Sequence, residues 1–172
     1  LLLAKKMGIP WYKRLHFLRS ANGFYLNQIQ KCPLFPDVEL IIPWIIDNIG
    51  PVGIYTTSSQ KEINQRFRNR QDFLIPFKNA IIGRDDVSHA KPDPEGIEKL
   101  SELWDIPPQR LVMVGDMKTD ILAGKRMGCF TVGVLTGFAT EEDFKSVRAD
   151  FILPSISEIR KVLKEILANL KD

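Results

Sequence analysis

The stretch LVMVGDMKTDILAG at residues 111–124 constrains the fold of this chain more than any other part of the sequence. An apolar run typical of a strand stops at Gly115-Asp116, and a second carboxylate, Asp120, follows where a helix should begin. Open parallel sheets bind their ligands at the carboxyl ends of strands. Two acids there would repel each other unless a hard cation such as Mg²⁺ lay between them. The alternative is that Asp116 is a turn residue and Asp120 a first-turn acid favoured by the helix dipole.

The rest of the chain alternates between short strand-like runs and helical segments. Strands are predicted at 52–55, 80–83, 111–114, 130–135 and 151–153. Helices are predicted at about 11–30, 37–48, 60–70, 94–104, 119–127 and 156–170. Asp37 is the predicted cap of the helix at 37–48, and Ser58 or Ser59 is the predicted cap of the helix at 60–70. Strands and helices in this order form right-handed βαβ units around a parallel sheet. The predicted architecture is therefore α/β, a doubly wound parallel sheet.

Composition excludes several classes of protein. A chain of 172 residues with 44% hydrophobic content suits one globular domain, and no apolar run approaches the about 20 residues needed to span a bilayer. Two cysteines far apart argue against a disulfide framework, so a cytoplasmic location is expected. The net charge is +3. Residues 1–35 carry six basic residues and no acidic one, which indicates a solvated helix face more often than an anion-binding patch. No nucleic-acid-binding signature and no membrane partner are predicted.

Two further segments carry candidate chemistry at the ends of predicted strands. The first strand ends in Thr56-Thr57-Ser58-Ser59, whose hydroxyls and amides could hold a phosphoryl oxygen. Lys91 lies in Ala90-Lys91-Pro92-Asp93-Pro94, where prolines restrict its reach. Such a lysine suits a fixed cation directed at a phosphate, although a lone lysine is usually solvated.

The order of these motifs resembles the haloacid dehalogenase superfamily. A hydroxyl motif, a lysine motif at Lys91-Pro92-Asp93-Pro94 and a GDxxxD motif at 115–120 follow one another as in that family, and residues 33–38 are similar to the segment that enters the core in phosphoglycolate-phosphatase-like members. The resemblance implies a Rossmann-like core at 36–172 and a partial helical cap at 1–35. It also implies a Mg²⁺-dependent phosphatase that acts on a small phosphorylated metabolite. Its oligomeric state is not readable from the sequence.

The resemblance also assigns roles to individual residues. Thr56 and Lys91 match catalytic residues, and with Thr57 they match the groups that bind the phosphate. Asp116 matches the direct Mg²⁺ ligand, and Asp120 matches a second acid that binds the metal directly or through water. Such groups act by positioning and by electrostatic stabilisation of a charge-dispersed transition state.

One element of the family pattern is absent from the 172 residues. The family's nucleophile is the first aspartate of an Asp-x-Asp motif, and no such motif occurs here. Either the sequence is shortened at its N-terminus, which we favour, or the protein is a catalytically inactive descendant. We expect the corresponding strand at the centre of the sheet, beside the strand that ends at Asp116. Without it, we expect poor folding, weak Mg²⁺ binding and no turnover.

A non-catalytic module that binds Mg²⁺ or a phosphometabolite is the alternative function, and a metal-free dehalogenase is disfavoured by the carboxylate pair.

Overall fold

The computed structural model describes residues 6–35 and 37–169. Lys5, Pro36 and Leu170, which entered the sequence predictions, lie outside the described residues. The helices are α1 (Trp11–Ile29), α2 (Val38–Asn48), α3 (Gln60–Arg66), α4 (Glu95–Trp104), α5 (Lys118–Met127), α6 (Glu141–Ser146) and α7 (Ile159–Asn169). The strands are β1 (Ile54–Tyr55), β2 (Ile81–Ile82), β3 (Val112–Gly115), β4 (Phe130–Val134) and β5 (Phe151–Leu153). None of the described helices is long and apolar enough to cross a membrane.

All described strand pairs are parallel, which confirms the predicted α/β class. They form two separate sheets: β1 pairs with β2, and β3, β4 and β5 follow one another in the second sheet. The register places Ile54 opposite Ile81 in the first sheet and Val114 opposite Val132 in the second. The sequence predicted one continuous sheet with a central strand still to be supplied, and the break falls between β1 and β3.

Apolar side chains pack on both faces of the larger sheet, as a doubly wound fold requires. One cluster joins strand residues such as Val132 and Leu153 to α2 and α7, where Ile159 has no exposed surface. The other cluster contains Met113 of β3, Ile97 of α4 and Ala123 of α5. The neighbours of Met113 in the strand, Val112 and Val114, pack in the first cluster. Successive strand residues alternate between faces, so the two clusters lie on opposite sides of the sheet. Helices therefore cover both faces.

Several element boundaries differ from the prediction. Asp37 precedes α2 as predicted, but its side chain makes no capping hydrogen bond and its backbone is left-handed, with φ of 66°. Helix α3 ends at Arg66 rather than Arg70, and α7 begins at Ile159 after a short 3₁₀ turn. The sequence prediction missed α6, although Thr140 and Asp143 form a capping box at its start. Short helices carry too little periodicity to stand out in a sequence.

A groove separates the two sheets. It has a volume of about 720 Å³ and is lined by β1 on one side and by β3 on the other, with helices α2, α4 and α7 over its faces. Its lining is mostly apolar and includes Ile45, Ile97 and Leu163. The sequence predicted the central strand of the sheet at this position, beside β3.

Candidate functional site at the carboxyl ends of the strands

Lys91 joins the two sheets at their carboxyl ends. Its Nζ donates a hydrogen bond to the main-chain oxygen of Tyr55, the last residue of β1, at 2.9 Å. The same Nζ lies 2.7 Å from Asp120 Oδ1, at the start of α5 after β3. The Lys91 side chain is only 9% exposed and that of Asp120 5% exposed. The ammonium also lies 5.1 Å from the centre of the Tyr55 ring, a cation–π arrangement.

Asp120 is held from two sides. Its Oδ2 accepts a hydrogen bond from the main-chain N–H of Met117 at 3.0 Å, which completes a first-turn cap for α5. Its buried Oδ1 has no hydrogen bond of ordinary geometry among the described residues, and the Lys91 ammonium is its charge partner. A Cβ on Gly115 would lie 2.3 Å from Asp120 Oδ2, so only glycine fits at the tip of β3. Asp120 is therefore a first-turn acid of α5, as the alternative reading predicted, and its role at a metal stays a prediction.

Asp116 follows Gly115 and faces the loop after β4. Its carbonyl accepts a hydrogen bond from the main-chain N–H of Ala139 at 3.1 Å. Its carboxylate lies against Gly137, where an added Cβ would come within 2.0 Å of Oδ2. The close approach to Gly137 fixes where the Asp116 carboxylate can lie. The Gly-Asp dipeptide predicted this acid, but the role of Gly137 could not be found from the sequence.

The hydroxyl segment leaves β1 next to the residue that binds Lys91. Thr56 donates its N–H to the carbonyl of Ile82 at 2.9 Å, and its Oγ1 accepts from the N–H of Ser58 at 3.1 Å. Ser59, not Ser58, caps α3: its side chain accepts from Glu62 N–H and its own N–H donates to Glu62 Oε2 at 2.6 Å. Thr57 is exposed. The capping interpretation of Ser59 is confirmed, while the phosphate-binding roles of Thr56 and Thr57 stay predictions.

The loop that carries Lys91 is anchored at both ends. Glu95 Oε2 accepts hydrogen bonds from the main-chain N–H groups of Ser88 and His89 at 2.8 and 3.0 Å. The Tyr55 hydroxyl donates to the carbonyl of Asp93 at 3.0 Å. Burial raises the pKa of the Tyr55 phenol, so it stays a neutral donor at neutral pH. Sequence reasoning missed Tyr55, which contacts Lys91 through its carbonyl and ring and supports the lysine loop through its hydroxyl.

The described contacts bring part of the predicted set together at one edge of the fold. Lys91 pairs with Asp120 and binds the carbonyl that precedes Thr56, and Gly115, which precedes Asp116, lies against Asp120. Among the described residues, no hydrogen bond or ion pair joins the Asp116 carboxylate or the Thr57 side chain to Lys91. The predicted residues supply a buried cation, hydroxyls and two carboxylates. Such a set can hold an oxyanion beside the ammonium and a hard cation beside the carboxylates.

Comparison with known proteins identifies the family. Residues 4–134 match the family model described as haloacid dehalogenase-like hydrolase. The chain belongs to this family. The resemblance that the motif order indicated is thereby confirmed.

Individual relatives agree with that assignment. The chain is 37% identical over 112 residues to pyrophosphatase PpaX of Anoxybacillus flavithermus, a match that covers 65% of this chain and 51% of the relative. It is 26% identical over 175 residues to phosphoglycolate phosphatase of Shigella boydii, with 94% and 67% covered. The match thus spans about half the length of the pyrophosphatase. The fold is similar to that of a conserved haloacid dehalogenase-like protein from Agrobacterium tumefaciens, with a TM-score of 0.78, 14% identity, and 96% and 75% of the two chains covered.

Proposed function

We propose that this chain is the metal- and phosphate-binding part of a Mg²⁺-dependent phosphatase, a phosphoric monoester hydrolase that acts on a small phosphorylated metabolite. One observation carries the proposal: Lys91 is a nearly buried cation held between the tip of β1 and Asp120. Burying an ammonium is costly unless its partners are arranged around it. The family membership supports the same conclusion.

Lys91 and the hydroxyl segment form the proposed phosphate side. The ammonium neutralises charge on the phosphoryl oxygens, and the Thr56 hydroxyl and the Thr57 hydroxyl or N–H orient them. Thr56 Oγ1 already accepts from Ser58 N–H, so its own proton is free to point toward a bound oxyanion. Thr56 and Lys91 are the proposed catalytic residues of this chain.

Asp116 and Asp120 form the proposed metal side. Two carboxylates at adjacent strand and helix ends suit Mg²⁺, which prefers oxygen ligands and keeps several waters. Because Asp120 Oδ1 is paired with Lys91, Asp116 is the better direct ligand and Asp120 the better outer acid. When bound, Mg²⁺ neutralises charge that develops on the transferring phosphoryl group.

The nucleophile of the proposed reaction is an aspartate in an Asp-x-Asp motif, and the 172 residues contain no such motif. An aspartyl-phosphate intermediate is therefore proposed for a protein that supplies this motif, and we expect no turnover by the 172 residues alone. Residues 1–35, with α1, are the proposed partial cap, and residues 36–172 the proposed core. A cytoplasmic location is part of the proposal, since neither Cys32 nor Cys129 forms a disulfide.

The substrate class follows from the relatives' names. One relative is named a pyrophosphatase and another a phosphoglycolate phosphatase. Both names refer to small phosphorylated compounds, so we propose a substrate of that size and charge.

The test is phosphate release by the protein as encoded, in a preparation of verified intact mass, with pyrophosphate and phosphoglycolate as probes. We expect turnover that requires Mg²⁺ and that falls about 100-fold or more in Thr56→Val and Asp116→Asn. Lys145→Met, in an exposed ion pair on α6, is the matched control and should retain activity. Turnover that is unchanged by chelation or by Asp116→Asn would refute the proposal.

The alternative is a non-catalytic module that binds Mg²⁺ or a phosphometabolite. The Lys91–Asp120 pair, which is closed without a ligand, favours it. Calorimetry distinguishes the two functions. Mg²⁺-dependent binding of inorganic phosphate by an intact protein that releases no phosphate from pyrophosphate or phosphoglycolate would support the module.

A further inference from the structure

Tyr55, the last residue of β1, contacts the lysine loop, residues 88–96, at several points. Its main-chain oxygen accepts from Lys91 Nζ at 2.9 Å, and its ring centre lies 5.1 Å from the same nitrogen. Its hydroxyl donates to the carbonyl of Asp93 at 3.0 Å. The ring also packs against Gly96, where an added Cβ would lie 2.3 Å from the ring carbon Cε2. The lysine loop therefore wraps around one side chain.

The other contacts of the lysine loop do not reach the ammonium. Glu95 accepts hydrogen bonds from two main-chain N–H groups at the start of the loop, and Arg126 donates to the carbonyl of Pro92 at 3.0 Å. These bonds hold the main chain of the loop in place. Among the described residues, Tyr55 is the one that binds both the Lys91 ammonium and the main chain of the loop.

The partners of the Lys91 ammonium leave part of its donor capacity unused. An ammonium has three N–H donors. In the described part of the chain, its hydrogen bond goes to the Tyr55 carbonyl, and its charge partner is Asp120 Oδ1 at 2.7 Å. These two partners leave at least one N–H for an oxyanion. Where that N–H points depends on where the nitrogen is held.

The side chain of Tyr55 supplies two things that its carbonyl cannot. Any residue would offer the carbonyl to Lys91, and phenylalanine would also offer the ring. Only tyrosine adds a phenol that donates to the Asp93 carbonyl. Burial raises the pKa of this phenol, so it stays a neutral donor across the physiological pH range.

We propose that Tyr55 is a positioning residue for phosphate binding: its ring and hydroxyl hold the Lys91 ammonium where its remaining N–H meets the oxyanion. The inference rests on the proposed function, since Lys91 acts on the phosphate side of that site. Tyr55 does not touch the phosphoryl group in this assignment, because its hydroxyl is directed to Asp93. A displacement of about 1 Å in a group that binds the reacting phosphate can cost about 100-fold in rate.

The test compares Tyr55→Phe and Tyr55→Val in the protein as encoded, with Mg²⁺, pyrophosphate as substrate and inorganic phosphate as inhibitor. Phenylalanine keeps the ring and loses the hydroxyl, and valine, which suits a strand, loses both. We expect KM and the inhibition constant of phosphate to rise about 3- to 10-fold in Tyr55→Phe and about 30-fold or more in Tyr55→Val. Tyr12→Phe, at a tyrosine that is 64% exposed on α1, is the matched control and should change either constant by less than about twofold.

These constants separate positioning from a merely structural role. Loss of folded protein lowers the apparent kcat, but it leaves KM and the inhibition constant of the remaining folded molecules unchanged. Unchanged constants in Tyr55→Val would therefore overturn the proposal, whatever its apparent kcat. Equal effects of Tyr55→Phe and Tyr55→Val would also overturn it, because the ring would then contribute nothing.

Gly96 provides a test that leaves Tyr55 in the chain. Alanine is normally favoured over glycine within a helix, but at this position its Cβ must displace the Tyr55 ring. We expect Gly96→Ala to raise the inhibition constant of phosphate about threefold or more in the wild-type background. It should have little further effect in Tyr55→Val, which has no ring to displace. Additive effects of the two changes would count against the proposal.

An NMR signal of Lys91 reports the same arrangement without turnover. The methylene group beside the ammonium lies near the Tyr55 ring, so its proton signals should be shifted upfield in the wild-type protein and in Tyr55→Phe, and should lose this shift in Tyr55→Val. Inorganic phosphate should move these signals at about 3- to 10-fold lower concentration in the wild-type protein than in Tyr55→Phe.

The two readouts distinguish failure of this inference from failure of the proposed function. A protein without turnover whose Lys91 signals follow the expected pattern would refute the phosphatase and support the positioning role. Mg²⁺-dependent turnover with the same Lys91 signals and the same phosphate response in all variants would support the phosphatase and overturn the positioning role. Absence of phosphate binding by the wild-type protein would overturn both.

Discussion

Lys91 shows how a residue of common type acquires a specific role from its surroundings. Its ammonium is 9% exposed and contacts a main-chain carbonyl, an aromatic ring and a buried carboxylate. A buried ion pair is weak evidence for stability, because the desolvation of both charges offsets their attraction. Removing one partner is different, because it leaves the other charge buried and uncompensated.

We therefore expect Lys91→Met to destabilise the fold by about 3–5 kcal/mol. The double variant Lys91→Met/Asp120→Asn should recover part of that loss, since the amide carries no charge. Lys145→Met is the control: its ion pair with Glu141 is exposed and should contribute about 0.5 kcal/mol or less. Urea unfolding measures all three. A cost for Lys91→Met no larger than that of the control would show that the pair is not buried in solution.

A second prediction at the residue scale concerns Asp143 and the pH dependence of the protein's stability. Hydrogen bonds from the N–H of Thr140 and from Lys118 lower the pKa of this carboxyl from 3.8 to about 2. A depressed pKa means that the folded state binds this proton less readily than the unfolded state. The stability contributed by Asp143 is therefore present above pH 3.8 and is lost as the pH falls towards 2.

The difference in melting temperature between the wild-type protein and Asp143→Asn should accordingly shrink as the pH is lowered from 5 towards 2. Side-chain carboxyl NMR measures the pKa directly. A midpoint close to 3.8 would contradict the predicted hydrogen bonds, and Thr140→Val should move the midpoint upward by removing the hydroxyl that donates to Asp143 at 3.1 Å.

The sequence predicted which residues form the candidate site, but it did not predict which groups those residues contact. Thr56, Lys91, Asp116 and Asp120 could be proposed from their order and from the ends of predicted strands. Their contacts could not: Tyr55 binds Lys91 through its carbonyl, a group that every residue has. Gly137 contacts Asp116 across a turn that local sequence does not define. Main-chain partners and close approaches leave no signature in residue type.

At the scale of elements, the junction between α1 and the core depends on one side chain. Arg66, the last residue of α3, donates to the main-chain carbonyls of Ile29 at 2.7 Å and Pro33 at 3.0 Å, and also to that of Cys32. Gln65 adds a hydrogen bond to Gln30 at 3.1 Å. The guanidinium therefore binds the carbonyl of Ile29, the last residue of α1, and two carbonyls of the segment that follows the helix.

We expect Arg66→Ala to release α1 from α3. Trypsin should then cleave after Lys31 several times faster than in the wild-type protein, while the core shows a smaller change in stability. Arg68→Ala is the matched control, since Arg68 is exposed and neighbours Arg66 on the same segment. Equal cleavage rates in both variants would show that packing, not Arg66, holds α1.

The sequence predicted most of the helices correctly, but it predicted the residues at which they begin and end less accurately. The long helices α1, α2 and α7 follow from their apolar pattern, whereas α6 is six residues long and depends on its capping box. Strands β1 and β2 are only two residues each, shorter than the predicted runs, because backbone pairing requires a partner and not only β-branched residues.

At the scale of the whole molecule, the two sheets differ in strand pairing and in burial. Strand β4 pairs on both sides and is almost fully buried, whereas β1 and β2 have no strand partner other than each other among the described residues. Regions with few buried contacts open at lower free energy than the core. The groove separates these two regions.

Native-state hydrogen exchange should reveal this difference. The amides of Ile54 and Thr56, bonded to Ala80 and Ile82, should exchange about tenfold or more faster than those of Phe130 and Leu135, which bond to Leu111 and Leu153. All four are backbone hydrogen bonds between parallel segments, so the comparison isolates the effect of the sheet. Equal exchange rates would indicate that the two sheets open together and would contradict a groove that weakens the first sheet.

The sequence by itself determined the α/β class, the order of the elements, the family and the residues that carry charge at the strand ends. It could do so because hydrophobic periodicity and motif spacing are local properties of a chain. Only the tertiary structure decided that Lys91 spans two sheets, that Arg66 binds carbonyls at and after the end of α1, and that β1 and β3 line one apolar groove. Those features depend on contacts between residues far apart in the chain, such as Lys91 with Tyr55 and Arg66 with Ile29, 36 and 37 positions apart. Their energy comes from burial and geometry that no local pattern encodes.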